Sequence, residues 1–411
     1  MDSLNRSGMA ARRYRCRWWI ERFTLDGRIG RKGYLMKITE IDVWTVVVPV
    51  FPEAVHSEEY GGYPDWARVP KQIIRMHTDE GITGIGETGR GQSTQVVAQA
   101  AKQLKGRDVM KMCLQNVFRS EPLKPGPESP EDWEIDPGPY PTGYEAFEMA
   151  VFDLIGKRLD VPVHTLLGGA CRDKVRADFW IGHQTPEHTG RSTEIAVERG
   201  FTGLKTKCRI QEPMAERIRA VWEVGGSEFK MTVDPNERFY TVEQTLELAD
   251  QIKELENVEV FEDPIPKKGL RDDVLAQYRY MRGELPFPLA LHLGGASDVI
   301  KAIRADAVDY LNLGGSMVNF VKAAAIAQAA GIPVWHGSGN DLGIMERSYL
   351  HAAAVAPNCV LASDFVGSWT RIDDLITEGF TFEKGYTPVP QSPGLGCELD
   401  LDALEKYRVD K

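Results

Sequence analysis

Lys205 and Lys207 lie two residues apart in GLKTKC, between Leu204 and Cys208, in what reads as a short buried strand. In an extended chain residues i and i+2 share a face, so both ammonium groups project together while Leu204, Thr206 and Cys208 face the other way. A desolvated lysine is costly unless opposite charge offsets it, which directs attention to the acids that close neighbouring segments. Asp234 ends KMTVDP and Glu262 ends VEVFEDP. Two carboxylates converging beside two lysines make a poor core. They suit a divalent cation such as Mg²⁺, which takes hard oxygen ligands and keeps positions open for substrate. His292 follows at the end of PLALHL, and Asp309 and His336 are expected to end the next two strands, VDYLNL and IPVWHG. A carboxylate bonded to an imidazole fixes its tautomer and raises its basicity, so an Asp309–His336 pair is expected as a proton acceptor near neutral pH. For any one of these residues alone a structural ion-pair network is the plainer explanation; the whole set favours a site.

The elements that must carry them come in two rhythms. From 37 to 90, KITEIDVWTVVVP and the pair of strands around the DEG turn read as strands, followed by helix over 92–120 and a Pro-rich connection over 121–142. Tyr144, Phe147, Val151, Leu154 and Ile155 then recur at helical spacing, and Pro162 stops that helix. From about 175 short apolar strands alternate with amphipathic helices, with strands at 177, 203, 230, 258, 288, 308, 332 and 359. Eight such strands predict an α/β chain built on a modified, TIM-like (β/α) barrel, whose active site gathers at the carboxyl ends of the strands. The expected division is a basic extension over 1–35, an α+β capping domain over 36–170 completed by 386–411, and a barrel over 171–385.

A formal charge of −11 argues against a general nucleic-acid or membrane-surface role and favours small-molecule partners. The first 35 residues run the other way, with nine Lys/Arg against three acids, and Met36 is the expected true start. Six scattered cysteines without a CxxC pair read as reduced thiols in a cytoplasmic protein. VWTVVVPVF is too short to span a bilayer. Gly84, Gly86 and Gly89 spell GxGxxG, but in a hairpin rather than a strand-to-helix turn, so no dinucleotide site is expected.

From Met36 onward the chain resembles the enolase superfamily, in its mandelate racemase and acid-sugar dehydratase branch. The resemblance rests on TDEGITGIGE, AVFDLIGKRLDVPVHTLLGG, KTK at 205–207, DPN at 234–236, EDP at 262–264, DYLNLGG, GIPVWHG and PGLG, in that order and spacing. It implies abstraction of a proton alpha to a carboxylate, giving an enediolate stabilised by Mg²⁺. It makes Lys207 the base on one face, Lys205 the holder of the substrate carboxylate, and His336, supported by Asp309, the group on the opposite face. Asn236 would hydrogen-bond substrate, and Asp364 would meet the reacting acid group. Where the family usually places Glu or Asp as third metal ligand, this chain offers His292, with Asp298 a poorer candidate in the next helix; imidazole is a softer donor and admits Mn²⁺. Barrels of this kind are commonly homo-oligomers.

The loop over 51–66 carries Glu53, His56, Glu58, Glu59, Tyr60, Tyr63 and Asp65, a polar lid suited to sugar hydroxyls, with His56 and Tyr60 as substrate contacts. Dehydration of an aldonate or aldarate to a 2-keto-3-deoxy product is the expected reaction. Racemisation or epimerisation of a 2-hydroxy acid is the alternative, and a non-catalytic acid-sugar binder is the third reading.

Overall fold

The computed structural model describes residues 35–60, 67–118, 143–209, 211–237, 241–365, 367 and 369–410. The basic extension, apart from Leu35, and the lid residues Tyr63 and Asp65 lie outside them. Residues 36–411 form one compact unit.

Strands β1 (Ile38–Pro49), β2 (Arg68–Thr78) and β3 (Thr83–Glu87) make an antiparallel meander in that order. Helix α1 (Thr94–Leu104) and helix α2 (Tyr144–Leu159) pack on it. The expected helix over 92–120 is thus interrupted after Leu104. Two members of the GxGxxG run explain themselves here: a Cβ on Gly84 would meet the Ala150 carbonyl oxygen at 2.3 Å, and one on Gly86 the Ala146 oxygen at 2.0 Å. Glycine is required because α2 lies directly on the strand.

The barrel strands are β4 (Lys174–Ile181), β5 (Gly203–Lys207), β6 (Lys230–Asp234), β7 (Val258–Glu262), β8 (Leu289–Leu293), β9 (Tyr310–Leu313), β10 (Val334–His336) and β11 (Ser363–Phe365). Each pairs in parallel with the next from β4 to β10, and β11 pairs with β4. The eighth strand is SDF, four residues past the expected position. Cys359 makes only a single bridge to Val334, which brings the last segment alongside β10. Seven helices link the strands: α3 (Pro186–Glu198), α4 (Met214–Gly225), α5 (Val242–Ile252), α6 (Asp272–Glu284), α7 (Ala296–Arg304), α8 (Met317–Ala329) and α9 (Gly343–Val355). A final short strand, β12 (Tyr386–Pro388), pairs antiparallel with β4, and α10 (Leu401–Tyr407) leads to a bridge between Arg408 and Val46 on β1.

Strand alternation sorts the barrel. Leu204, Met231, Val233, Leu289, Leu291, Leu311, Leu313 and Val334 join the large core under the helices. Val260, Ala290 and Trp335, with Tyr310 and Leu361, form a separate small cluster inside the barrel. Counting by twos from those inward residues reaches Glu262, His292 and Asn312 at the carboxyl rim.

Carboxylates of the antiparallel module cap barrel helices. Glu87 at the end of β3 accepts from the Leu342 and Met345 N–H groups at the start of α9, at 2.7 and 2.9 Å. Glu148 on α2 accepts from the Val318 N–H and the Ser316 hydroxyl at the start of α8, at 3.2 and 3.1 Å. Burial pushes the Glu148 carboxyl up to about 7, against an ordinary value of 4.5. The unfolded chain ionises first, so this carboxyl costs stability as pH rises through that interval. Denaturant titrations from pH 4.5 to 7 should therefore show wild-type stability falling relative to E148Q, by no more than about 1.4 kcal/mol per pH unit. Parallel profiles would contradict the assignment.

Candidate active site

The inward face of β5 presents Lys205 and Lys207, while Thr206 and Cys208 turn to the helix side. Lys205 is buried, and its Nζ lies 2.7 Å from Glu262 Oε2, 2.7 Å from Asp364 Oδ2 and 3.2 Å from Asp234 Oδ2. Burial alone would lower its pKa, but Asp364, Glu262 and Asp234 hold it well above the ordinary lysine value. Lys207 pairs with Asp234 from the solvent side of the same cluster. Asp234 Oδ1 also accepts from the Asn236 N–H at 2.8 Å, which turns the chain back over the rim. Residues from β5, β6, β7 and β11 thus meet at one place.

Asn312, which the sequence did not single out, closes the cluster. Its Nδ2 donates to Glu262 Oε1 at 2.8 Å and reaches Asp364 Oδ2 at 3.3 Å. The only sequence signal is an amide between two leucines on a strand. Asp364 is therefore tied into the buried cluster through Lys205 and Asn312. Asp263 is a second omission: its carboxylate accepts from the His292 N–H at 3.0 Å and pairs with Lys267 at 2.5 Å, fixing the rim between β7 and β8.

The donor set fits a divalent cation. Asp234 and Glu262 converge on a point taken by an ammonium group, and His292 Nδ1 lies 3.8 Å from Glu262 Oε1. Glu262, Asp263 and His292 each offer a ligand atom within 4.8 Å of the others. Burial, with the positive charge of Lys205, lowers the His292 pKa to about 3, so its imidazole is neutral as a ligand must be. Asp298 bonds Lys301 on α7 and plays no part in this set.

The expected Asp309–His336 pair does not form. Asp309 precedes β9, so it stands at the amino end of the barrel, where it accepts from Arg282 at 2.8 Å and from the Leu289 N–H at 2.9 Å. The polar group near the carboxyl end of β9 is Asn312 instead. His336 alternates with the inward Trp335 and so faces the helical layer. Its ring stacks between Phe320 of α8 and Tyr349 of α9, with centroids 4.4 and 3.9 Å away, and Nδ1 bonds the Gly337 carbonyl at 2.7 Å. Burial lowers its pKa to about 4. The next inward position is Gly337, where a Cβ would lie 2.3 Å from Asn312 Oδ1 and 2.9 Å from His292 Nε2. Asp309 and His336 are framework residues, and neither can serve as the base on the opposite face.

The lid segment is stitched to the end of β4. Gly182 and His183 donate N–H bonds to the Ala54 and Val55 carbonyls at 2.9 and 2.7 Å, and Ser57 N–H returns one to the His183 carbonyl at 2.8 Å. A short helix, Pro52–Val55, and a 3₁₀ turn, Glu58–Tyr60, place His56 and Tyr60 above this rim. Burial, then the charge of Glu212, raises the Tyr60 pKa.

An eight-stranded parallel barrel capped by an antiparallel module, with lysines and carboxylates massed at the carboxyl rim, defines an enzyme of the enolase type. Residues 68–168 match the family described as mandelate racemase / muconate lactonizing enzyme, N-terminal domain, and residues 189–403 match the enolase C-terminal domain-like family. The chain belongs to the enolase superfamily, in its mandelate racemase and muconate lactonizing branch. It is similar to an N-succinyl-L-Arg/Lys racemase of Bacillus cereus, 26% identical over 91% of this chain and 98% of the relative. A probable glucarate dehydratase of Streptomyces coelicolor is 27% identical over 82% of this chain and 84% of its own length. Among solved structures, that of the Bacillus cereus racemase aligns with a TM-score of 0.75 at 24% identity, covering 91% of this chain and 98% of that one. An enolase from Thermobispora bispora, complexed with magnesium and formate, aligns with a TM-score of 0.73 at 25% identity, covering 90% and 92%.

Because Asp309 and His336 lie outside the cluster, D309N and H336Q should change unfolding free energy, by about 1–3 kcal/mol, and leave Mn²⁺ affinity by calorimetry unaltered. A tenfold loss of metal affinity in either variant would return that residue to the site.

Proposed function

We propose that this enzyme is a divalent-metal-assisted lyase that removes the proton alpha to the carboxylate of an acid sugar and dehydrates it to a 2-keto-3-deoxy acid. The observation that carries this reading is the shared inward face of Lys205 and Lys207, with the Asp234 and Glu262 carboxylates converging beside it. Asp234, Glu262 and His292 are the residues that would hold Mg²⁺, with Mn²⁺ favoured by the softer imidazole donor. When bound, the ion stabilises the negative charge that grows on the substrate carboxylate as the alpha proton leaves. Lys207, nearer the open rim, takes that proton, and Lys205, held charged by three carboxylates, attracts the substrate's acid group. Asn236, His56 and Tyr60 border the space above and would bond hydroxyls.

Racemisation needs a base on each face of the alpha carbon. The inward positions across the barrel from Lys207 are His292, Asn312 and Gly337, and an imidazole that ligates metal cannot also take the proton. That favours dehydration, although the relatives include both named racemases and named dehydratases.

Wild-type protein with Mg²⁺ or Mn²⁺, in deuterated water and with a panel of aldonic and aldaric acids, is expected to yield a keto acid. Exchange without water loss would mean a racemase, and neither outcome would mean a binder. K207A should lower turnover at least about 1,000-fold while its circular dichroism is unchanged, and unchanged turnover would refute the role. E262Q should weaken Mn²⁺ binding at least tenfold by calorimetry.

A further inference from the structure

The lid meets the rim at a glycine beside Lys207. Ile181 of β4 stands opposite Thr206 of β5 and both face the helices, so Gly182 has the inward parity of Lys207 and stands at its level. A Cβ there would lie 1.9 Å from the Val55 carbonyl oxygen, so the lid segment rests directly on the inner side of the strand end. The strand ends beneath it are braced. Arg217 of α4, fully buried, donates to the Gly182 carbonyl at 2.9 Å, to the Lys207 carbonyl at 3.0 Å and to the Thr206 hydroxyl, and it grips Glu212 Oε2 at 2.6 Å. Glu212 Oε1 in turn meets His183 Nδ1, also at 2.6 Å.

The lid itself is pinned to this base by a titratable group. Ser57, buried, accepts through Oγ from the Thr185 N–H at 2.9 Å and lies 2.7 Å from Nδ1 of His188, in the first turn of α3. Gln184 Nε2 donates to the Glu53 carbonyl at 3.1 Å, which fixes the amide, and the same nitrogen lies 3.4 Å from His188 Nε2. A ring nitrogen that faces an N–H donor is the unprotonated one, so the neutral imidazole carries its hydrogen on Nδ1 and gives it to Ser57. His188 thereby joins Glu53, through Gln184, and Ser57, on either side of Val55, to the loop after β4. A second proton, on Nε2, would point at the Gln184 amide and break that arrangement. We infer that His188 is a positioning residue, which in its neutral form latches the lid over the rim and on protonation releases it. The charged groups around the ring are Arg191 of α3, Glu59 and Glu53 of the lid and Arg217 of α4; burial, then Arg191, lowers the His188 pKa from its ordinary 6.5. The latched form thus binds a proton less well than the open form. The latch is complete above about pH 6.5 and weakens as pH falls below it.

The readout needs neither substrate nor metal, so this inference stands or falls apart from the dehydratase reading. The Ser57, Gly182 and His183 amides hydrogen-bond across the seam between lid and β4, and their hydrogen exchange reports its opening. Corrected for intrinsic rates and referred to barrel-wall amides, their protection in the wild type should fall at least about threefold between about pH 7.5 and about pH 5.5. H188N keeps an N–H donor where Nδ1 stands but does not titrate, so its protection should be the same at the two pH values. S57A, which removes the acceptor, should be at least about threefold less protected than the wild type at the higher pH. Wild-type protection that ignores pH, a loss that survives in H188N, or an S57A lid as protected as the wild type would each overturn the assignment. Should H188N fail to fold, H188Q, which likewise cannot titrate, carries the same comparison.

Discussion

The structure turns on one buried ammonium group. Lys205 Nζ touches carboxylates from three different strands, and without it Glu262 and Asp364 would face each other in the barrel interior with only Lys207, on Asp234, to offset the charge of the three acids. Removing one partner of a buried ion cluster is far more costly than never having built it, because the remaining charges stay desolvated. The cluster also explains why Asn312 is needed: its amide supplies a donor to two of the three acids where another cation would add competing charge. A divalent ion at the proposed site would therefore meet ligands that are already assembled, in competition with this ammonium.

Much of this was legible in the sequence because strand alternation is a rigid rule. Lys205 and Lys207 had to share a face, and Asp234 and Glu262, ending the next two strands, had to arrive at the same rim. The failures have the same origin. Asp309 was counted as the end of its strand when it is the residue before it, and a shift of that size moves a side chain from one end of the barrel to the other. His336 was placed at the correct end, but parity with Trp335 turns it outward, and the phase of a three-residue strand cannot be read from IPVWHG alone. Asn312 and the Glu212–His183 pair escaped notice for a different reason. Their significance lies in contacts across 50 and 29 residues of chain, which no local pattern records.

The Glu212–His183 pair is assembled from loops rather than strands. Glu212 sits between β5 and α4, and His183 just past β4, where backbone geometry varies more freely than in the barrel wall. Arg217 compensates by reaching from a helix to carbonyls on both strands. Rigid elements thus position the lysines and carboxylates, and a buried guanidinium gives two loop residues comparable precision.

The acids that cap α8 and α9 have an implication for modularity. Glu87 and Glu148 belong to the antiparallel part of the chain, yet they satisfy N–H groups at the start of two barrel helices, and Lys71 of β2 pairs with Glu87 at 3.1 Å and with Asp341 beyond β10. A barrel expressed by itself would leave those donors bare and Asp341 without its lysine. Grafting this barrel onto another cap would therefore mean carrying over three matched charges, Lys71, Glu87 and Glu148, along with the seam.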